Sequence, residues 1–311
     1  MSKPADPART VRYRIEFPEP HTHLFHVSLR VPLGGKRDAI ELAMPAWTPG
    51  SYKVRDFSRH VQDLEARAGK SPVRFAKTDK QTWRFDVSGA AGHDLEVTYK
   101  VYGYELTVRT AHLDDRHAYW NGANLCLFVV GELDRPALVE VGKLPEGWVV
   151  ATGLEPARAG PHPHGWRARD YDELVDAPFD AGALTVTEFV VEGVPHRIAI
   201  DGAGNYDVEK MREDTERIVR VELAMFGGTA PYAHYTFIVH CVPDGVPGGG
   251  LEHANSTTLM WNRFKFRPRD KYEDYLALVS HEFFHLWNVK RMRPRELGPF
   301  LYGCENYSRA L

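Results

Sequence analysis

Short runs in which apolar and polar residues alternate dominate the first part of the chain. The clearest of them occupy residues 11–17, 23–31, 82–87, 95–102 and 137–141. Alternation with a period of two is typical of strands that bury one face, and no long helical pattern interrupts these runs. We therefore expect residues 1–170 to form an N-terminal antiparallel β-sandwich domain.

The pattern changes near residue 170. Two further strand patterns, at 183–191 and 196–200, precede the first long helical pattern, which runs from about Val208 to Phe226 and ends at a Gly-Gly pair. Another strand pattern follows at 235–242. We assign residues 171–311 to a second domain that opens with strands and then turns helical, which makes the fold class α+β.

Residues 44–57 connect two of the early runs and are too rich in Pro and Gly to form a central strand. Their two large aromatic residues, Trp47 and Tyr52, need apolar neighbours. We expect an ordered connection that these two rings pack in place.

A second helical pattern surrounds His281, Glu282 and His285. Asp270 and Glu273 have the spacing of a capping box at its start. The apolar face of this predicted helix consists of Tyr275, Leu276, Leu278, Val279, Phe283 and Leu286. The three polar residues spell H-E-x-x-H and are therefore expected in the middle of a helix.

Zinc binding is the chemistry that this motif favours. Residues four apart lie on the same face of a helix, so His281 and His285 can offer two imidazole nitrogens to one Zn²⁺. Glu282 lies beside that face, where its carboxylate can accept a proton from a zinc-activated water and pass it to a leaving amine. The alternative is structural, with two satisfied histidines and a solvated glutamate.

A glycine-rich stretch before this helix holds an acidic residue, in the order Gly249, Gly250, Leu251, Glu252. Glycines let the backbone approach a ligand closely, and Glu252 could pair with the α-ammonium group of a peptide. In the other interpretation the glycines only form a hairpin and Glu252 is a solvated charge. The residues alone leave both interpretations open.

Composition excludes some partners. The chain of 311 residues is 43% hydrophobic and 26% charged with a formal net charge of -3, which is ordinary for a globular protein and gives no basic surface for nucleic acid. No apolar run is long enough to span a membrane, and residues 1–10 lack the apolar core of a signal peptide. We expect a cytoplasmic protein without nucleic-acid or membrane partners.

The three cysteines are Cys126, Cys241 and Cys304. Their number is odd and none of them forms a C-x-x-C pair, so a disulfide framework and a zinc knuckle are both disfavoured. We expect three buried thiols.

Three segments together resemble the glycyl-aminopeptidase family of PDZ-containing zinc metallopeptidases: residues 281–294, which continue the motif to H-E-x-x-H-x-W-N, residues 249–253 and residues 44–52. The resemblance covers nearly the whole chain. It implies a β-sandwich followed by a thermolysin-like catalytic domain that binds zinc through His281, His285 and a downstream glutamate. It also implies a peptide substrate with N-terminal Gly or Ala, whose amino group Glu252 receives next to Gly249 and Gly250.

The C-terminus departs from that family. Its third zinc ligand belongs to a W-x-x-E-G-x-T segment, which we expect beyond Leu311, together with further helices and the PDZ domain. Glu305 follows His285 at the separation that thermolysin-like enzymes use, but its neighbours resemble the residues leading into that segment, so we reject it. We expect an inactive fragment of a zinc aminopeptidase, or alternatively a non-catalytic β-sandwich interaction module that carries a remnant of a protease domain. The sequence does not set the oligomeric state.

Overall fold

A computed structural model describes residues 8–90, 92–157 and 164–307. In chain order its strands are β1 Val11–Glu16, β2 Leu24–Val31, β3 Ala39–Ala43, β4 Val61–Ala68, β5 Ser71–Pro72, β6 Phe75–Lys77, β7 Thr82–Asp86, β8 Leu95–Tyr102, β9 His112–Leu113, β10 His117–Asn121, β11 Phe128–Val129, β12 Ala137–Val141, β13 Val149–Thr152, β14 Glu155–Pro156, β15 Gly165–Ala168, β16 Pro178–Gly182, β17 Thr185–Val191, β18 Val194–Asp201, β19 Tyr235–Val242, β20 Gly249–Glu252 and β21 Ser256–Asn262. The α-helices are α1 Gly122–Leu125, α2 Tyr171–Val175, α3 Val208–Met225 and α4 Arg269–Phe284. Short 3-10 turns occupy Pro20–Thr22, Phe57–His60 and Arg295–Leu297.

The N-terminal part is a layered β structure, as its alternating pattern predicts. Its largest sheet has the order β14-β15-β12-β1-β2-β8-β4-β5, and two smaller sheets have the orders β11-β3-β7-β6 and β13-β16-β10-β9. Pairing is antiparallel except between β1 and β12, which run parallel. Every second residue of β2 and β8 is buried, and these side chains join one core with those of β3 and β7.

The second part is a mixed sheet with two helices on one face. The sheet order is β17-β18-β19-β21-β20, with β18, β19 and β21 parallel to one another and the two outer strands antiparallel. Helices α3 and α4 share a core with one face of the sheet, while the other face packs against β13 and β16 of the N-terminal part. Strand β19 is buried along its whole length because both faces are covered. The α+β class is confirmed.

The core of the first part continues past residue 170. Tyr171 and Leu174 of α2 and Phe179 of β16 belong to the same buried cluster as β1 and β2. Strand β16 also pairs with β10 and β13. The division at residue 170 stays a prediction, and this packing favours a division nearer residue 183.

The connection at residues 44–57 is ordered, as expected. Trp47 is fully buried, and its ring lies 5.3 Å from that of Tyr52 and 5.4 Å from that of Phe300. Its indole Nε1 donates hydrogen bonds to the carbonyls of Leu301 and Cys304 at 3.2 and 3.0 Å. The connection therefore holds the end of the described chain against the N-terminal part.

Helix α3 has the predicted bounds to within one residue. The side chain of Asp207 caps its start by accepting a hydrogen bond from the amide of Lys210 at 3.1 Å. Not all of its apolar residues are buried, since Val221 is 62% and Met225 66% exposed. Buried Glu222 joins α3 to α4 by accepting a hydrogen bond from Ser280 at 2.6 Å, and burial raises the pKa of Glu222 to about 7.

Helix α4 differs from the prediction at both ends. It begins at Arg269 after Pro268, without a side-chain cap, so the capping box of Asp270 and Glu273 is wrong. Glu273 instead accepts a hydrogen bond from Arg269 at 2.6 Å. The helix ends at Phe284, so the H-E-x-x-H motif lies in its last turn and not in its middle.

Cysteine burial and membrane topology were also predicted. All three cysteines are free thiols, and Cys126 and Cys241 are buried, but Cys304 is exposed. The prediction of three buried thiols is therefore wrong for Cys304, which lies on a turn near the end of the described residues. In the described part of the chain, no helix combines the length and the apolar character needed to cross a membrane.

Candidate metal and catalytic site

The two histidines of the motif face each other at the end of α4. His281 lies in the last helical turn and His285 is the residue that caps it, and their Nε2 atoms are 3.0 Å apart. His285 Nδ1 lies 2.5 Å from the carbonyl oxygen of Asn288. Because a carbonyl only accepts, Nδ1 carries the proton and Nε2 presents a lone pair. This second contact orients the ring in the way that is usual for metal-binding histidines.

Glu282 points from the same turn towards strand β20. Its side chain is 5% exposed and lies so close to Gly250 that a Cβ added there would be 2.3 Å from Glu282 Oε1. Burial and the nearby Glu252 carboxylate raise the pKa of Glu282 to about 8, although Arg109 and Lys290 act in the opposite direction. A cation bound beside it would favour the ionised form.

Strand β20 is an edge strand that brings the predicted peptide-binding residues to this helix end. Gly249 has a φ of +148°, a conformation that only glycine adopts easily, and Gly250 leaves the space that Glu282 occupies. Glu252 is 6% exposed, and its carboxylate, that of Glu282 and a ring nitrogen of His285 lie within 4.8 Å of one another. Two buried carboxylates this close repel each other unless a positive group lies between them.

The N-terminal part supplies one wall of the site. Gly50, in the connection between β3 and the turn at Phe57–His60, has a φ of +86°, and a Cβ added there would be 2.9 Å from Glu252 Oε1. Tyr52 lies two residues further along the chain. Burial raises the pKa of its hydroxyl, and the nearby Lys290 acts to lower it. The short approach of this connection fixes the position of Glu252.

A buried ion pair lies behind the site. Lys290, five residues after His285, donates a hydrogen bond to Asp176 Oδ1 at 2.7 Å. Asp176 also contacts His253 Nδ1 at 3.1 Å and accepts a hydrogen bond from the amide of Ala254 at 3.0 Å. Burial would raise the pKa of Asp176, but Lys290 and His253 together outweigh it and hold that pKa below its usual range. Asp176 thus ties both α4 and the end of β20 to the N-terminal part.

Our sequence reasoning missed these supporting residues. Lys290 stands inside the segment that carries the family resemblance, but nothing local marks it as a buried partner of a residue 114 positions away. Asp176 is the last residue of the acidic stretch 170–176, and nothing in that stretch singles it out. Gly50 was recognised only as part of an ordered connection.

Glu305 is exposed in an irregular segment, where it adds to the effect of Asp56 in raising the pKa of Lys80. Among the described residues, the groups whose atoms could share a metal ion do not include it. The third ligand beyond Leu311 stays a prediction.

Comparison with known proteins places these residues in a family context. Residues 12–183 match the peptidase M61 N-terminal domain, and residues 274–311 match the M61 glycyl aminopeptidase domain. The structure is similar to the crystal structure of an aminopeptidase N family protein from Idiomarina loihiensis, with a TM-score of 0.88 and 35% sequence identity. That similarity covers 96% of this chain and 51% of the other, so this chain spans about half the length of that relative. A comparison with curated proteins gives no match.

Proposed function

Since the chain belongs to the M61 peptidase family, we propose that its protein is a zinc-dependent aminopeptidase that removes small N-terminal residues, Gly or Ala, from peptides. One observation carries the proposal: the helix end with His281, Glu282 and His285 meets the edge strand with Glu252. The preference for Gly rests on the name of the matching domain.

The donor atoms fit a zinc ion. Two imidazole nitrogens that lie 3.0 Å apart can bind one ion together, and the hydrogen bond from His285 to Asn288 holds its ring in the required tautomer. Bound zinc would polarise the scissile carbonyl and lower the pKa of a water molecule towards ~7.

Glu282 and Glu252 would have different roles, proton transfer and substrate binding. Glu282 would take the proton of the attacking water and give it to the leaving amine, and its burial against Gly250 keeps the carboxylate in one place. Glu252 would bind the α-ammonium group of the substrate, which also relieves its repulsion with Glu282. Such an anchor restricts cleavage to the first peptide bond, because only the chain end carries that charge.

The test is the hydrolysis of a glycyl reporter substrate by the whole protein, with a free or an N-acetylated amino group. We expect cleavage of the free form only, and a loss of about 10–100-fold in kcat/KM on Glu252→Gln, which corresponds to one charge-assisted hydrogen bond. Zinc content should stay the same. Equal rates on the two reporters would refute the anchor and with it the aminopeptidase assignment.

The 311-residue chain by itself is expected to bind zinc weakly and to leave the reporter intact. A catalytic zinc site normally has three protein ligands, and this proposal gives the chain two, His281 and His285. The exposed Val221 and Met225 on α3 motivate the alternative, a non-catalytic β-sandwich interaction module that carries a remnant of a protease domain.

Two measurements on that chain, with and without Glu305→Gln, test the expected inactivity: its zinc content and its cleavage of the reporter. If the unchanged chain cleaves the reporter and Glu305→Gln abolishes both bound zinc and activity, Glu305 is the third ligand. The proposal that the chain alone is inactive would then be wrong.

A further inference from the structure

Three ionisable side chains meet in the interior where the two parts of the molecule join. His117 lies on β10 and Asp180 on the neighbouring strand β16, both in the same small sheet. His240 lies on β19, the central strand of the mixed sheet. The side chains are 4%, 0% and 0% exposed, so a bound group would be sealed from water.

The hydrogen bonds within this cluster are incomplete. His117 Nε2 is hydrogen-bonded to Asp180 Oδ1. His240 Nε2 is 3.4 Å from Asp180 Oδ2 without hydrogen-bond geometry. Within the described residues, neither ring nitrogen of His240 forms a hydrogen bond, and Asp180 Oδ2 accepts none. A buried imidazole with two unsatisfied nitrogens is costly, and native interiors rarely retain one without a reason.

An ion pair between His117 and Asp180 explains only part of the arrangement. Burial disfavours the charged form of His117, but the adjacent Asp180 carboxylate outweighs burial and raises the pKa of His117 to about 9. The pair therefore holds a proton, which a metal ion bound to His117 would replace. It leaves His240 unexplained, although the Nε2 of that ring lies 3.4 Å from the second oxygen of the same carboxylate.

We propose that His117, Asp180 and His240 form a second metal site, which takes a divalent transition-metal ion such as Zn²⁺ and joins the N-terminal part to the mixed sheet. Donor atoms of the three residues lie within 4.8 Å of one another. Bonds of about 2.0–2.2 Å in tetrahedral geometry place two ligand atoms roughly 3.3 Å apart. The 3.4 Å between His240 Nε2 and Asp180 Oδ2 fits that separation and is long for a hydrogen bond.

The surroundings support a structural ion. Two imidazoles and a carboxylate are ligands that zinc prefers, and Asp201, the cross-strand neighbour of His240, offers a further carboxyl group. Burial raises the pKa of Asp201, and its carboxyl group interacts electrostatically with all three members of the cluster. A site without access to solvent or substrate serves stability and domain geometry. The inference does not depend on zinc at His281 and His285.

The experiment removes the helix-end site and measures how much zinc the protein still binds. The whole protein with His281→Ala and His285→Ala is incubated with Zn²⁺, freed of unbound metal and analysed for zinc per chain. We expect one ion per chain and a melting temperature that rises with added Zn²⁺, because an ion that binds only the folded state stabilises it. Adding His240→Gln should abolish both, while adding His196→Gln should abolish neither.

His196 is a matched control. It is buried on β18 of the same sheet, but its ring nitrogens lie 2.9 Å from the Val194 carbonyl oxygen and 2.8 Å from the Tyr232 hydroxyl. If the His281→Ala/His285→Ala protein is folded, as circular dichroism reports, and holds no zinc, the site is refuted without any further variant. Zinc that persists after His240→Gln would also refute it. If His240→Gln prevents folding, Asp180→Asn replaces it in the same comparison.

Discussion

Replacing Glu282 with Gln in the whole protein is expected to lower kcat by about 10²–10⁴-fold while the zinc content stays unchanged, because proton transfer is lost and the two histidines are kept. Glutamine has nearly the shape of glutamate, so the contact with Gly250 is preserved. Its amide cannot take a proton from water and pass it to the leaving amine.

Glu273→Gln is the matched control. Glu273 lies on the same helix, exposed and paired with Arg269, so its replacement should change neither kcat nor zinc content. Metal analysis and steady-state kinetics on a glycyl reporter measure both quantities. Unchanged turnover in Glu282→Gln would remove Glu282 from its proposed role, and loss of zinc would make it a ligand in place of a base.

Adding one methyl group to β20, by Gly250→Ala, is expected to lower kcat by about 10²-fold through the displacement of Glu282. The new Cβ would lie 2.3 Å from Glu282 Oε1 and 2.4 Å from its Cγ and Cδ, distances that real side chains do not tolerate. The carboxylate must therefore move by about 1 Å, and an error of that size in a catalytic group can cost ~10²-fold.

A double variant distinguishes displacement from general damage. If Gly250→Ala acts through Glu282, then adding it to Glu282→Gln should cost little more, because the group that it moves no longer transfers protons. Gly35→Ala is the control, since nothing lies within 4 Å of a Cβ there. Additive losses in the double variant would show that Gly250 acts on something other than Glu282.

Local sequence signals predicted most of the fold. The alternating runs became β2 and β8, and the helix from about Val208 to Phe226 is α3, because these patterns record burial along one element. The wrong predictions concern the two ends of helix α4 and the exposure of one cysteine. Spacing at Asp270 and Glu273 suggested a cap, but the chain starts α4 directly after Pro268. The side chain of Cys304 is exposed although Tyr302 on the same turn is buried, a difference that no local pattern records.

The candidate site was predictable only where its residues are close in sequence. His281, Glu282 and His285 are set by the period of one helix, whereas Asp176 and Lys290 meet because two distant segments fold against each other. His117, Asp180 and His240 belong to three strands, and their approach depends on how two sheets pack. Periodicity carries no information about such pairs.

The contacts that Gly50 and Asp176 make with the second part also bear on the order in which the two parts fold during synthesis. A chain leaves the ribosome N-terminus first, and an N-terminal domain generally folds before the next one is complete. Most of the core behind the surface that receives Glu252 and Lys290 can therefore form before His281 and His285 have been made. Once it is complete, the second part would dock its helix end onto a surface that the first part already presents.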